Sequence, residues 1–513
     1  MSADGDAGAP LVLGIDDGTT AVKVALFDAR LREIASARRP VSTSNPAPGR
    51  VEQDPEAVLE AVVDAVAEVL PAARGREIVA AGLDHQGESV LAWDAATGAP
   101  RSDIVVWQDK RGSEAYDDVA PELLARTGLP ADPYFSAPKL SWLVRSVDLD
   151  GARLGTVDAF LSDRLGAGHA TDASTASRTA LQSLAAPGAW DAELCEAFGI
   201  PIALLPRIAP TTGDLGTLRH PRWGDVAIPL RARVCDQQAA LAGSGCVRPG
   251  LIKATYGTGV FVLAHTGTTA RTDTPLIPTV AWQTPATTPS PAAGGEASTT
   301  GAHTSFALDG GVFTAGALLE WLTGTLGLAA DPIALTALAA TVEDSGGVRV
   351  LPALAGAGAP YWRADAQAVV AGLSAATTPA HIARAALDAI AHRVADVVES
   401  TGDPIDLLRV DGGLTNDPLL CHLQADLLGH PIERGTTDAT VTGAAGLALV
   451  GAGLLPDPAA LEPLLPATER ISPTLPAATR LAERAAWRAF AGRALDLLAP
   501  GGPSAAVPPT SSS

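Results

Sequence analysis

Lysine is scarce in this chain: four among 513 residues, at Lys23, Lys110, Lys139 and Lys253, and none is followed by Ser or Thr. That excludes a Walker A phosphate loop, which needs Lys directly before a hydroxyl. The motifs G-x-G-x-x-G, H-E-x-x-H and G-x-S-x-G are missing too, which removes the usual dinucleotide, zinc-protease and nucleophile-elbow signatures. Cysteine is equally rare. Cys195, Cys235, Cys246 and Cys421 are scattered with no C-x-x-C, so neither a disulfide framework nor a zinc knuckle is expected, and a reduced, cytoplasmic setting fits. The first ten residues, MSADGDAGAP, lack the basic and apolar regions of a signal peptide and read as a disordered lead. The longest low-charge apolar stretch, near 440–455, is rich in Gly and Ala and too short to span a bilayer. Positive charge is short as well: 36 Lys and Arg against 57 Asp and Glu give a formal charge of −21. Nucleic acid and anionic membranes are held by basic clusters, so neither is an expected partner. Any nucleotide bound here must be held by a different device.

What is present describes a large globular chain. The hydrophobic fraction is 47% and the charged fraction 18%, and the length implies two large domains. Residues 11–15 and 22–27 read as strands joined by a Gly-Thr-Thr turn, and 57–69 as a helix started by Asp54-Pro55. Strands at 78–83 and 104–107 and a helix at 140–147 follow. Alternating strands and helices predict an α/β fold with a largely parallel sheet. A second cycle, IKATYGTGVFVLAH, repeats strand, Gly-Thr turn and strand after Leu251, which puts a boundary near Pro249-Gly250. The Pro-, Thr- and Gly-rich run 284–304 and the tail 500–513 read as disordered.

Three turns carry the chemistry. Asp16-Asp17-Gly18-Thr19-Thr20 places backbone N–H groups and hydroxyls in one concavity, a nest suited to anions, with carboxylates at its lip able to hold Mg²⁺. The same stretch also suits a plain hairpin turn with Asx capping. Tyr256-Gly257-Thr258-Gly259 repeats the device, and Asp411-Gly412-Gly413 ends a third strand in a turn that can lie flat against adenine or ribose. A further carboxylate, Asp236, stands where an apolar strand meets a helix. There it is either a helix cap or a base able to take a hydroxyl proton.

These turns, together with RVEQDPEAV, VVWQDKR, DPYFSAPKLSW, GTVDAFL, TDASTASRT, CDQQAALAG, APYW and RVDGG in this order, resemble the FGGY carbohydrate kinases of the actin-like ATPase superfamily. The likeness runs from about residue 11 to about 455 and is strongest to the branch that phosphorylates glycerol. It implies a two-lobed, ribonuclease H-like fold with a mixed sheet flanked by helices in each lobe and the active-site cleft between them. The lobes would be 11–249, with the acceptor and the first phosphate loop, and 250–499, with the nucleotide. It also implies transfer of a phosphoryl group from ATP, with Mg²⁺, to a terminal hydroxyl of a small polyol, by a homodimer or homotetramer.

The resemblance implies roles residue by residue. Asp236 is the general base. Glu88, Tyr134, Asp236 and Gln237 bind the acceptor, with Trp107 and Phe261 as its apolar wall. Gly18, Thr19, Thr20, Lys23, Thr258, Gly259, Gly316, Glu320, Gly413 and Asp417 bind nucleotide, and Asp16 organises the metal. Trp107 and Phe261 would also suit core packing, and Glu88 and Tyr134 solvated loops. The chain departs from the pattern at several places: Gly87 stands where the acceptor-binding Arg is usual, Lys23 replaces an Arg, Glu320 a Gln and Asp417 an Asn. Gly87 is expected to open space, so that either another residue reaches in or the acceptor is a four- or five-carbon polyol or ketose, such as erythritol or xylulose.

Overall fold

The computed structural model describes residues 9–286, 302–435, 438–465 and 469–497. In the first half, β1 (Leu11–Asp17), β2 (Ala21–Asp28) and β3 (Glu33–Pro40) form an antiparallel meander; then come α1 (Pro55–Val69) and β4 (Ile78–His85). The first sheet is completed by β5 (Thr217–Arg219) and β6 (Ala227–Cys235), in the order β5-β6-β4-β1-β2-β3. Strand β6 runs directly into α2 (Asp236–Gly243). The second half starts with the hairpin β7 (Leu251–Tyr256) and β8 (Val260–Gly267), then β9 (Ile277–Pro285), β10 (Ala302–Val312) and α3 (Gly316–Gly324). After the long helix α4 (Pro379–Glu399) come β11 (Leu407–Asp411), β12 (Ile432–Arg434), α5 (Ala439–Gly451) and β13 (Glu469–Ile471). The second sheet has the order β9-β10-β8-β7-β11-β12-β13.

Both sheets are mixed, as the resemblance implies, which corrects the largely parallel sheet expected from the alternation of strands and helices. In the first, only β1–β4 and β4–β6 run parallel, and in the second only β7–β11 and β11–β12. The Gly-Thr turns are tight enough to reverse the chain, so each half opens with a hairpin before any crossover. The run 284–304 is corrected at its ends, since β9 reaches Pro285 and β10 begins at Ala302. Residues 287–301, the lead 1–8 and the tail 500–513 lie outside the described residues.

The two halves are not simply divided at Pro249-Gly250. Helix α5, from late in the chain, packs on the first sheet: a Cβ at Gly82 of β4 would lie 1.9 Å from the Ala444 carbonyl oxygen. It also crosses α2 at touching backbones. A Cβ on Gly243 would fall 1.8 Å from Ala439 O, and one on Gly443 1.8 Å from Ala239 O. Glycine at both crossing points lets the helices approach as no larger side chain would allow. Around them Val12, Ala80, Val234, Leu241, Val441 and Leu447 form a core shared by elements from both halves.

Candidate active site

The parallel register of β1 and β4 sets Asp16 beside Asp84, and that of β4 and β6 sets His85 beside Cys235, one residue before Asp236. Three strand ends thus deliver Asp16, Asp17, Asp84 and Asp236 to one place. Burial is the main force on this group. It lifts Asp16 to about 6, with the Asp236 charge adding to it, and Asp17 to about 8, with Asp16 and Asp236 adding. Asp84 is raised well above the carboxylate range, by burial first and then by Asp16. Asp84 and Asp17 are fully buried, and none of their carboxylate oxygens receives a hydrogen bond. Adjacent carboxylates removed from water hold either a proton or a cation between them. Lys23 is the register partner of Asp16, but its ammonium reaches Asp438 at 2.6 Å and Glu33 at 3.7 Å. No group of three His, Cys, Asp or Glu among the described residues could by itself enclose a metal ion. With both Asp84 oxygens unpaired, the Asp16–Asp84 pair fits Mg²⁺, which keeps waters and takes phosphate oxygens beside one or two carboxylates.

The turn after β1 has one internal backbone bond, Gly18 N to Ala21 O at 3.2 Å, its Thr20 carbonyl accepts from Val41 N at 3.0 Å, and Thr20 is exposed. Thr19 is fixed from two sides. Its carbonyl accepts from Gln53 Nε2 at 2.7 Å and its hydroxyl from Trp107 Nε1 at 3.0 Å. The turn after β7 is tied down differently. Gly257 N donates to Gly259 O at 2.8 Å, and the N–H groups of Ala315, Gly316 and Ala317, at the start of α3, donate to the carbonyls of Thr258 and Gly257 at 2.9 to 3.1 Å. Thr258 stays exposed. Gly412 adopts φ 93° and lies on the Tyr256 backbone, where a Cβ would meet Tyr256 O at 2.3 Å, whereas Gly413 faces open space. Glu320 is exposed on α3. Asp417 accepts from Leu419 N at 2.9 Å and so caps the next helix with one carboxylate oxygen.

On the acceptor side, Asp236 opens α2, half-buried, and its Oδ1 accepts from Gln237 N at 2.6 Å. Gln237 in turn accepts from the buried Lys253 of β7 at 3.1 Å. Glu88 is buried and takes a charge-assisted bond from Arg178 Nε at 2.7 Å. Burial nonetheless holds its carboxyl above the ordinary range, against the pull of Arg178. Tyr134 stands edge-on to Trp107, with ring centroids 5.5 Å apart. The turn around it is pinned by Lys139 Nζ, which donates to the carbonyls of Pro133, Tyr134 and Phe135 at 2.6 to 2.8 Å. Phe261 lines a cavity together with Tyr134 and Arg178.

Glu88, Tyr134, Trp107, Phe261, Gln237 and Asp236 are thus linked through shared neighbours, whereas Lys23 turns towards Asp438 and Glu320 towards solvent. The space expected at Gly87 is not open: a Cβ there would lie 2.3 Å from Cys235 Sγ. The thiol fills what the missing side chain vacates, and the guanidinium at Glu88 comes from Arg178. Arg178, Asp84, Gln53 and Lys253 were not singled out by the sequence. Arg178 lies inside the TDASTASRT segment that carries the resemblance, but no spacing there marks it as a partner of Glu88.

Residues 11–243 match the N-terminal domain of the FGGY family of carbohydrate kinases, and residues 252–452 match its C-terminal domain. A glycerol kinase of Gloeobacter violaceus is 41% identical over 465 residues, covering 88% of this chain and 90% of the relative. The Plasmodium falciparum glycerol kinase crystallised with ADP superposes with a TM-score of 0.85 at 27% identity, covering 95% of this chain and 99% of that one. A xylulose kinase of Rhodospirillum rubrum shares the fold, with a TM-score of 0.80 at 23% identity over 94% and 98% of the two chains.

Proposed function

We infer the reaction from one premise: the chain belongs to the FGGY family of carbohydrate kinases. As such it is an ATP-dependent kinase of a sugar or polyol. The acceptor we propose is a small polyol phosphorylated at a terminal hydroxyl, and glycerol, the compound in the names of the relatives, is the first to test. The observation that supports this most is the position of Asp236. It is half-buried at the start of α2, one residue from the strand end that lies beside His85, and its charge acts on Asp16, Asp84 and Glu88 alike.

Asp236 takes the proton as the acceptor oxygen forms its bond to the γ-phosphorus and the bond to the β-phosphate oxygen breaks, leaving ADP. Glu88, Tyr134 and Gln237 hold the acceptor hydroxyls, while Trp107 and Phe261 cover its carbon chain. Thr19, Thr20, Thr258 and Gly259 donate to the phosphates on turns that Gly18 and Gly316 close, and Gly413 leaves room for the adenosine. Asp16 and Asp84 would hold Mg²⁺, which when bound neutralises phosphate charge. Lys23 serves by fixing the start of α5 through Asp438. The crossing of α2 and α5 is the natural pivot for closing the lobes and excluding water. Among the described residues no helix is long and apolar enough to cross a membrane. Four buried free cysteines accord with a cytoplasmic place of action, and the resemblance favours a homodimer or homotetramer.

The test is an ADP-release assay with glycerol, paired with Asp236→Asn. The variant is expected to lose about 10²–10⁴-fold in kcat while keeping its ATP affinity. Near-normal turnover by the variant would remove Asp236 as base. ATP hydrolysis indifferent to every added alcohol would point to an actin-like ATPase without an acceptor.

A further inference from the structure

The junction between β6 and α2 is fixed from within the molecule. Cys235, the last residue of β6, is 1% exposed, and its N–H donates to Ser174 Oγ at 3.0 Å. Ser174 donates in turn to Asp172 Oδ1 at 3.0 Å, and Thr211 donates to Asp172 Oδ2 at 2.6 Å. All three are fully buried, so the backbone that carries Asp236 has a rigid frame. The Cys235 side chain adds a further contact. Its Sγ fills the space at Gly87, where a Cβ would lie 2.3 Å from it, and donates to Asp236 Oδ1 at 3.4 Å. Burial, and then the charges of Asp236 and Glu88, push this thiol well above its usual range, so it keeps its proton and can donate. A thiol is a weak donor, but a low local dielectric strengthens its bond to a carboxylate. Oδ1 also accepts from Gln237 N at 2.6 Å, whereas Oδ2 has no hydrogen-bond partner among the described residues and is not sealed off. Two donors on one oxygen oppose rotation of the carboxylate and leave the other oxygen for the acceptor.

We propose that Cys235 is a positioning residue for phosphoryl transfer: its S–H holds Asp236 Oδ1 so that Oδ2 meets the acceptor hydroxyl, and Gly87 gives the thiol room to do so. This rests on the reading of Asp236 as the base. The hydroxyl proton goes to Oδ2, and the thiol keeps its own throughout. Gly87 and Cys235 are then a matched pair, because any side chain at 87 would push the thiol off Oδ1.

The geometry separates this role from packing. With Sγ removed, the nearest atom to a Cβ at 87 is the Cys235 Cβ, 3.5 Å away, which is ordinary contact. Gly87→Ala combined with Cys235→Ala therefore refills the space without restoring a donor. The experiment measures kcat and KM for glycerol, with Tm, for the wild type, Cys235→Ala, Cys235→Ser and the double variant. Cys235→Ala is expected to lower Tm and to lower kcat about three- to tenfold, the worth of one modest hydrogen bond, with KM little changed. The double variant should recover Tm but not kcat, and Cys235→Ser, which keeps a donor, should recover kcat. Unchanged kcat in Cys235→Ala, recovery of kcat together with Tm in the double variant, or no recovery in Cys235→Ser would each overturn the proposal. If Cys235→Ala does not fold, the double variant and Cys235→Ser decide. Asp236→Asn run beside them keeps the two readings apart. Its loss of turnover with full activity in Cys235→Ala would overturn the role of the thiol alone, whereas near-normal turnover in Asp236→Asn would overturn both.

Discussion

The two halves of the molecule open with the same local device, strand, Gly-Thr turn and strand, yet the turns are set in opposite surroundings. The first, at 18–20, follows half-buried Asp16 and buried Asp17, with buried Asp84 beside them, and has one backbone bond within it. The second, at 257–259, has one buried aspartate beside its strand, Asp411 against Thr255, and is held by the N-terminus of α3 and the backbone of Gly412. One turn is therefore built around unsatisfied negative charge and calls for a cation. The other has a single buried aspartate, Asp411, with the charge of buried Lys253 acting on it, and offers N–H groups and a hydroxyl to an anion. A duplicated backbone plan has been divided into a metal side and a phosphate side by what packs behind each turn.

The largest effect is expected on the second side. Gly412→Ala puts a methyl against Tyr256 and strains a φ of 93°. It should cost about 1–3 kcal/mol of stability, read as a lower Tm, and reduce ATP affinity in titration. Gly413→Ala, with open space around it, should leave Tm unchanged and weaken only nucleotide binding. Equal Tm losses for the two would erase the distinction between wall and platform.

On the first side, Asp84→Asn should weaken Mn²⁺ binding, followed by titration or electron paramagnetic resonance with an ATP analogue, by about tenfold as one carboxylate ligand is lost. Metal affinity unchanged in the variant would mean that Asp16 and Asp84 share a proton instead. The same region governs stability against pH in the absence of metal. Asp17 is raised from 3.8 to about 8, so the folded chain binds more protons than the unfolded one between these values. Its contribution to stability is therefore fully present below 3.8 and lost as pH rises towards about 8. Denaturation midpoints should fall over this window, and Asp17→Asn should flatten the fall. The smallest effect is expected where the two sites touch. Trp107→Phe removes the bond to Thr19 and should cost about 0.5–1.5 kcal/mol, seen as a several-fold rise in KM for ATP with kcat little changed.

Much of this was legible in the chain because it is local. Each Gly-Thr hairpin is spelled within about ten consecutive residues, and Asp236 sits where an apolar strand gives way to a helix. Phosphate loops and a candidate base could be named on that footing, with the resemblance choosing between them and ordinary turns and caps. What could not be read is everything decided by register or by long-range packing. Nothing near Asp84 says that it lies beside Asp16, because that follows from pairing β1 with β4 in parallel. Gly87 suggested an opening, yet Cys235, from a strand far along the chain, fills it. The mixed direction of the sheets came from the resemblance and not from local pattern for the same reason: strands alternating with helices look alike whichever neighbour they finally choose.

By itself, then, the amino-acid order determined the hairpins, the strand-to-helix junction at Asp236 and the lack of any lysine-based phosphate loop, since these depend on backbone preferences over a few residues. Only the tertiary structure decided that buried carboxylates would crowd together, and that Arg178 would stand between Glu88 and Asp309. Such charges are brought together and stripped of water by the collapse of distant segments on one another, and no short stretch of chain carries that information.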